Sequence, residues 1–211
     1  MVLLALSIKY EAKTKYYKEV IMIRRVVFPF AWGFVLFVSS SAVFAIDYAG
    51  VNVPDIIKYG GENLKLNGVG QRSKYFVKLY VASLYLAKKN KKAEQIIAED
   101  SAMAIRLAIT SSYITPEKMK EITLKGFEKS TKGNTTGIKP QIDELVATFK
   151  KGVGVGDVYE LINMPGGGVH ILRNGVRVAQ IKSLAFKQAL FGIWLSKSPI
   201  QRSLKRSLLG K

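Results

Sequence analysis

From residue 46 onward the apolar positions change period several times, and each change marks an element. Residues 63–70 set Leu64 and Leu66 against Lys65 and Asn67, the period-two pattern of a half-buried strand. Gly60-Gly61 separates it from a short start over 51–59. Residues 75–86, YFVKLYVASLYL, are apolar at both parities and rich in β-branched and aromatic side chains, which predicts a long central strand covered on both faces. A charged turn at 88–92 leads to a short helix over 93–99 and a strand over 103–110. Thr115-Pro116-Glu117 is a helix start, with Thr as N-cap, Pro at the first position and an acid in the first turn. Met119, Ile122, Leu124 and Phe127 continue from it at near-helical spacing. Beyond a polar loop over 129–137, residues 141–151 make a second amphipathic helix with Ile142, Leu145, Val146 and Phe149 on one side.

Glycines between 152 and 156 break that helix, and strands follow at 157–163, 169–173 and 176–181. The last two flank Asn174-Gly175, residue types that accept the positive φ of a two-residue hairpin turn. A largely apolar helix over 184–195 and a basic one over 199–209 complete the chain. Strands, two helices, strands and two helices give an α+β order: an antiparallel sheet with helices packed on one side. Neither a repeat nor a low-complexity linker divides this part, so 46–211 reads as one domain.

The pattern before residue 46 is of another kind. Arg24 and Arg25 precede an apolar run over 26–38, then a Ser cluster, with Val43 and Ala45 at the −3 and −1 positions of a cleavage site. Residues 22–45 therefore read as a secretory signal peptide cleaved after Ala45, and 1–21 as an extension upstream of a start at Met22. An uncleaved anchor is the alternative, because 26–45 could just span a bilayer, but Pro29, Gly33 and the serines favour cleavage. The mature protein is then periplasmic or secreted.

The chain has no cysteine, which excludes disulfides, thiolate metal sites and thiol nucleophiles together. Its formal charge is +18; residues 1–45 hold six of the 33 basic and two of the 15 acidic residues, so the remainder keeps +14. Such a surface attracts anionic lipid, acidic glycan or nucleic acid, and it also describes an ordinary soluble basic protein. His170, a lone histidine, lacks the partners of a triad or a metal site, and neither the glycines at 152–156 nor those at 166–168 lead into a phosphate-binding helix. The acids are scattered without acid/base spacing, and no cofactor is expected. Asn134-Thr-Thr136 matches a glycosylation triplet, a pattern common by chance. Near the C-terminus Ile200, Leu204 and Leu208 recur every four residues among Arg202, Lys205 and Arg206. This stripe can lie on a membrane or pack on its own domain.

Four segments in register carry a resemblance. They are Leu66-Asn-Gly-Val-Gly-Gln-Arg72 running on through Tyr80 to Leu86, Gly156-Asp157, Asn174-Gly175 leading to Phe186, and Gly192-Ile-Trp194-Leu followed by Pro199 and Leu208-Leu209-Gly210. Together they resemble the bacterial, exported branch of the chalcone isomerase-like family. The resemblance implies an open-faced β-sandwich, a long antiparallel sheet under a layer of helices, with a ligand cleft between them. Plant members of that family cyclise chalcones with an arginine similar in position to Arg72; other members are non-catalytic and hold fatty acids with that arginine and a tyrosine resembling Tyr80. The enzymes' threonine on the long strand is replaced here by Tyr80, their tyrosine and asparagine by Thr115 and Ile122, and a polar residue of the late helix by Ile193. The resemblance thus implies a binder of a fatty acid or similar small apolar carboxylate or phenolic anion, with Arg72, Tyr80 and Thr115 at the ligand. The alternatives are an isomerase (an intramolecular lyase) using Arg72 and a module for an anionic membrane surface or a partner; nucleic acid is not expected. On one straight strand Arg72 and Tyr80 would lie about 26 Å apart, so a shared site requires the chain to reverse near Ser73-Lys74.

The exported protein is expected to begin at Ile46. Intact-mass measurement checks this, and a mass that includes residues 22–45 would make the segment an anchor.

Overall fold

Seven antiparallel strands follow one another across a single sheet in chain order: β3 (Ile56–Tyr59), β4 (Glu62–Lys74), β5 (Val77–Leu86), β6 (Met103–Ile109), β7 (Val158–Met164), β8 (Gly168–Arg173) and β9 (Val176–Ile181). The structure is a computed structural model that describes residues 45–211; the expected upstream extension and signal peptide lie outside them, apart from Ala45. β1 (Ala45–Tyr48) and β2 (Val51–Pro54) form a separate two-stranded ribbon. Helix α1 (Ala93–Ala98) joins β5 to β6, α2 (Pro116–Thr131) and α3 (Lys139–Ala147) join β6 to β7, and α4 (Leu184–Leu195) and α5 (Arg202–Leu208) follow β9. This is the α+β arrangement that the element order implies, and the open-faced sandwich that the resemblance implies.

The two-sided apolar pattern of β5 is used on both faces. Tyr80, Ala82, Leu84 and Leu86 face the larger core, which the helices close with Phe127, Phe186 and Leu190. Val81 and Tyr85 face the other way, into a smaller core with Val53, Ile57 and Leu64. Tyr85 Oη donates to Pro54 O at 2.8 Å and ties the ribbon to that face. Both cores are assembled from residues downstream of 46.

The long strand begins two residues later than its composition predicts. Tyr75 and Phe76 have φ of 48° and 67°, and they form the turn between β4 and β5, with Lys74 opposite Val77. Left-handed backbone costs an ordinary residue about 1–2 kcal/mol, so two aromatics in succession are an expensive way to reverse a chain. Asn174-Gly175, at φ of 52° and 79°, makes the expected relaxed turn between β8 and β9. Thr115 caps α2 as its sequence indicates, its Oγ1 accepting from Lys118 N at 3.2 Å. Leu124, expected on the buried side of α2, is exposed; the helix buries Met119, Gly126 and Phe127 instead. The second helix starts at Lys139 and gives way to a 3₁₀ turn over Thr148–Lys151, and the last helix spans only Arg202–Leu208.

The apolar stripe of α5 packs on its own domain: Leu204 and Leu208 are buried in the larger core. They reach it because β4 has no side chain where the helix lies. A Cβ at Gly68 would stand 2.1 Å from Ser207 O, and one at Gly70 would stand 2.7 Å from Ser207 Cβ. Asn67 Nδ2 donates to Leu208 O at 2.8 Å beside them. The glycines of the Asn-Gly-Val-Gly segment are thus the seat of the last helix. Lys187 of α4 is fully buried as well, its Nζ donating to Ile96 O (2.8 Å), Ile97 O (3.0 Å) and Glu99 O (2.5 Å), the end carbonyls of α1. Burial pushes its ammonium down to about 8, against the pull of Asp100 and Glu99.

Gly68→Ala is expected to destabilise the fold by about 1–3 kcal/mol, because the obstruction is backbone and cannot swing aside. Urea unfolding measures it; a wild-type midpoint would mean that α5 is not seated on β4.

Candidate functional site

The strained turn places Arg72 directly opposite Tyr80 on paired strands, so the two side chains share the helix-covered face. The chain reversal required for a common site is therefore made at Tyr75-Phe76 rather than at Ser73-Lys74. Arg72 is half-buried, and its Nη1 donates to Gln201 Oε1 at 2.8 Å and to Ser73 O. Gln201 Oε1 also accepts from Ser73 N at 3.0 Å, and its Nε2 donates to Ser203 Oγ at 2.8 Å, so the residue just ahead of α5 fixes the guanidinium from outside the sheet. Among the described residues no carboxylate pairs with Arg72. Its neighbours orient the charge without neutralising it.

Tyr80 is only 2% exposed, and its Oη accepts from Trp194 Nε1 at 3.2 Å. Burial raises its pKa despite the Trp194 bond and the nearby Arg72 charge, so the hydroxyl stays neutral and remains a donor. Among the described residues its proton has no hydrogen-bond acceptor.

Tyr80, with Leu107 and Leu161 of the sheet, floors a crevice roofed by Ile122 of α2 and by Ile193 and Trp194 of α4. Its volume is about 30 Å³, roughly the share of one water molecule in the liquid. A wider, open hollow of about 590 Å³ adjoins it, with Ile122 and Ile200 lining both. Arg72, Lys74, Lys125, Lys129 and Lys132 surround this hollow, against the single acid Glu128. An apolar slot thus meets a strongly cationic mouth at Ile122 and Ile200, and Arg72 lines the mouth beside Tyr80 of the slot.

Thr115 does not join this group: it is exposed, its hydroxyl is committed to capping α2, and it lines neither hollow. Ile122 and Ile193, which stand where the resembling enzymes carry polar groups, both line the crevice. His170 lies outside both hollows, its Nδ1 2.6 Å from Tyr59 Oη. Sequence reasoning missed the lysines of α2 and its C-cap as site residues, although positions 125 and 129 recur at the spacing of one helix face and 132 follows three residues on. For Gln201 there was no such signal, since only the seating of α5 brings it to Arg72.

The family described as chalcone isomerase-like matches residues 45–210. Among solved structures, a fatty-acid binding protein of Arabidopsis thaliana superposes with a TM-score of 0.63 at 15% identity, covering 79% of this chain and 96% of that one. At that identity the likeness establishes a shared fold. No curated protein matches.

Tyr80→Phe is expected to cost about 1–3 kcal/mol, because it leaves the buried Trp194 N–H unpaired. Urea unfolding beside Trp194→Phe and the double variant measures the coupling; strictly additive effects would mean that the bond is not made.

Proposed function

The chain belongs to the chalcone isomerase-like family, and on that basis we propose that it is an exported, non-catalytic binding protein for a fatty acid or similar small apolar anion. The ligand's acyl chain enters the crevice and its charged head stays in the cationic hollow. One observation carries this reading: Arg72, held in place by neutral partners and paired with no carboxylate among the described residues, lines the basic mouth directly opposite Tyr80 of the apolar slot. A guanidinium is a planar fork of donors suited to a carboxylate. Tyr80 offers a further donor from the crevice wall. Each buried methylene contributes about 0.8 kcal/mol, so a ten-carbon tail supplies on the order of 8 kcal/mol before ordering costs, and the head chiefly fixes orientation. The name of the Arabidopsis neighbour supports the same ligand class.

Apolar sec-butyl side chains where the enzymes carry polar residues weigh against the isomerase alternative, for Ile122 and Ile193 leave the slot with few groups to move a proton. The basic surface also suits an anionic membrane as the place where the ligand is exchanged.

The crevice must widen to admit a tail, so its helices part from the sheet on binding. Trp194 lines it, and downstream of residue 45 it is the sole tryptophan. Titration of the delipidated chain from Ile46 with laurate is expected to change Trp194 emission saturably, and Arg72→Ala is expected to weaken binding about ten-fold or more. No saturable change, or equal binding by the variant, removes the reading. Turnover of a chalcone that Arg72→Ala abolishes would replace it with the isomerase.

A further inference from the structure

Antiparallel order brings the β4–β5 turn, the loop after β6, the loop before β7 and the β8–β9 turn to one end of the sheet. Of the eleven exposed large apolar side chains among the described residues, six lie at this end: Tyr75, Phe76, Val77, Tyr113, Val155 and Val176. Tyr75 and Phe76 protrude furthest, at 84% and 104% exposure. They are also the two residues held at positive φ in the tight turn. Asn174-Gly175 shows that this sheet can turn at the same end with relaxed residues. Strain and exposure thus coincide on one pair of aromatics, and strain persisting at an exposed tip points to a role beyond the fold.

Cations accompany the aromatics. Lys74 and Lys78 flank the turn, and Arg177 follows Val176. Lys74 Nζ lies 5.2 Å from the centre of the Tyr75 ring, whereas Lys118, 5.2 Å from that of Tyr113, is already paired with Glu121 at 2.6 Å. Asp157, an acid of the same end, is already held by Arg173 at 2.9 Å and by Asn174. Aromatic tips beside lysines suit the boundary between phosphate head groups and acyl chains, where rings enter the apolar layer and ammonium groups reach back to the phosphates. The basic C-terminal helix cannot supply this surface, because its apolar stripe is spent on the core.

We propose that this end of the sheet docks on an anionic phospholipid bilayer, with Tyr75 and Phe76 inserted at the head-group boundary and Lys74 and Lys78 against the phosphates. Lys74 also lines the cationic hollow together with Arg72, so docking turns the mouth of the site toward the lipid. No helix among the described residues is long and apolar enough to cross a membrane, and this attachment is one of surface and tip.

The test uses the chain from Ile46 and co-sedimentation with vesicles of phosphatidylcholine alone or mixed equally with phosphatidylglycerol. Binding is expected only to the mixed vesicles, and salt is expected to weaken it. The double variant Tyr75→Asn/Phe76→Gly replaces the aromatics with residues that relax the turn, so its urea midpoint is expected to equal or exceed the wild-type value while vesicle binding falls about ten-fold or more. Absence of wild-type binding to mixed vesicles overturns the proposal, as does equal binding by the double variant. Self-association of the wild type without vesicles, lost in the variant, overturns it in favour of a contact between copies. None of these readouts depends on laurate binding.

Discussion

Ser207 and Leu208 lie against the backbone of β4 at a separation that only hydrogen at positions 68 and 70 allows. The position of the site follows from this contact. With α5 seated there, the residue ahead of it, Gln201, stands 2.8 Å from the Arg72 guanidinium, and Ile200 lies across the border between slot and hollow. Two glycines and an asparagine on one strand therefore hold an arginine two to five residues further on, through a helix more than a hundred residues away in the chain. Such long-range seating orders the charge without a neighbouring acid, and that leaves it free to meet an anion from outside.

The slot and the hollow divide the labour. Tyr80 is buried where it meets Trp194 and the isoleucines, so its hydroxyl stays neutral and its unshared proton is a strong local donor. Outside, the lysines of α2 act at longer range, drawing in negative charge before any contact forms. Arg72 lies between the two regimes, close enough to Tyr80 for its charge to be felt there and open enough to meet a solvated ion.

Much of the fold was legible because local preference and final structure agree. Asn174-Gly175 turns where it should, Thr115 caps its helix, the bounds of α4 match the apolar run, and the double parity of β5 became two cores. The failures came where tertiary context overrode preference. Tyr75-Phe76 opens a stretch of strong strand formers and contains neither Gly nor Pro, so nothing local marks it as a turn. Leu124 kept the helical spacing yet faces solvent, and Lys187 sits in an apolar helix as a buried clamp on three carbonyls at the C-terminal end of α1 and its cap. The site was half readable. Arg72 and Tyr80 came with the resemblance, but their adjacency depended on the hidden turn, and Thr115 proved to be a cap remote from the slot. The cationic face of α2 looked like any solvated face until the sheet set it beside Arg72.

A slot with space for a single water molecule also has a thermodynamic corollary. If the chain binds an acyl tail as proposed, and only a minor, parted arrangement of the helices accepts it, the affinity observed is the intrinsic one multiplied by the population of that arrangement. Tightness of the helical layer then opposes retention of cargo, and loosening α2 or α3 far from Arg72 would strengthen capture without adding a contact. In such a protein, selection for a firmer fold and selection for a better grip pull in opposite directions.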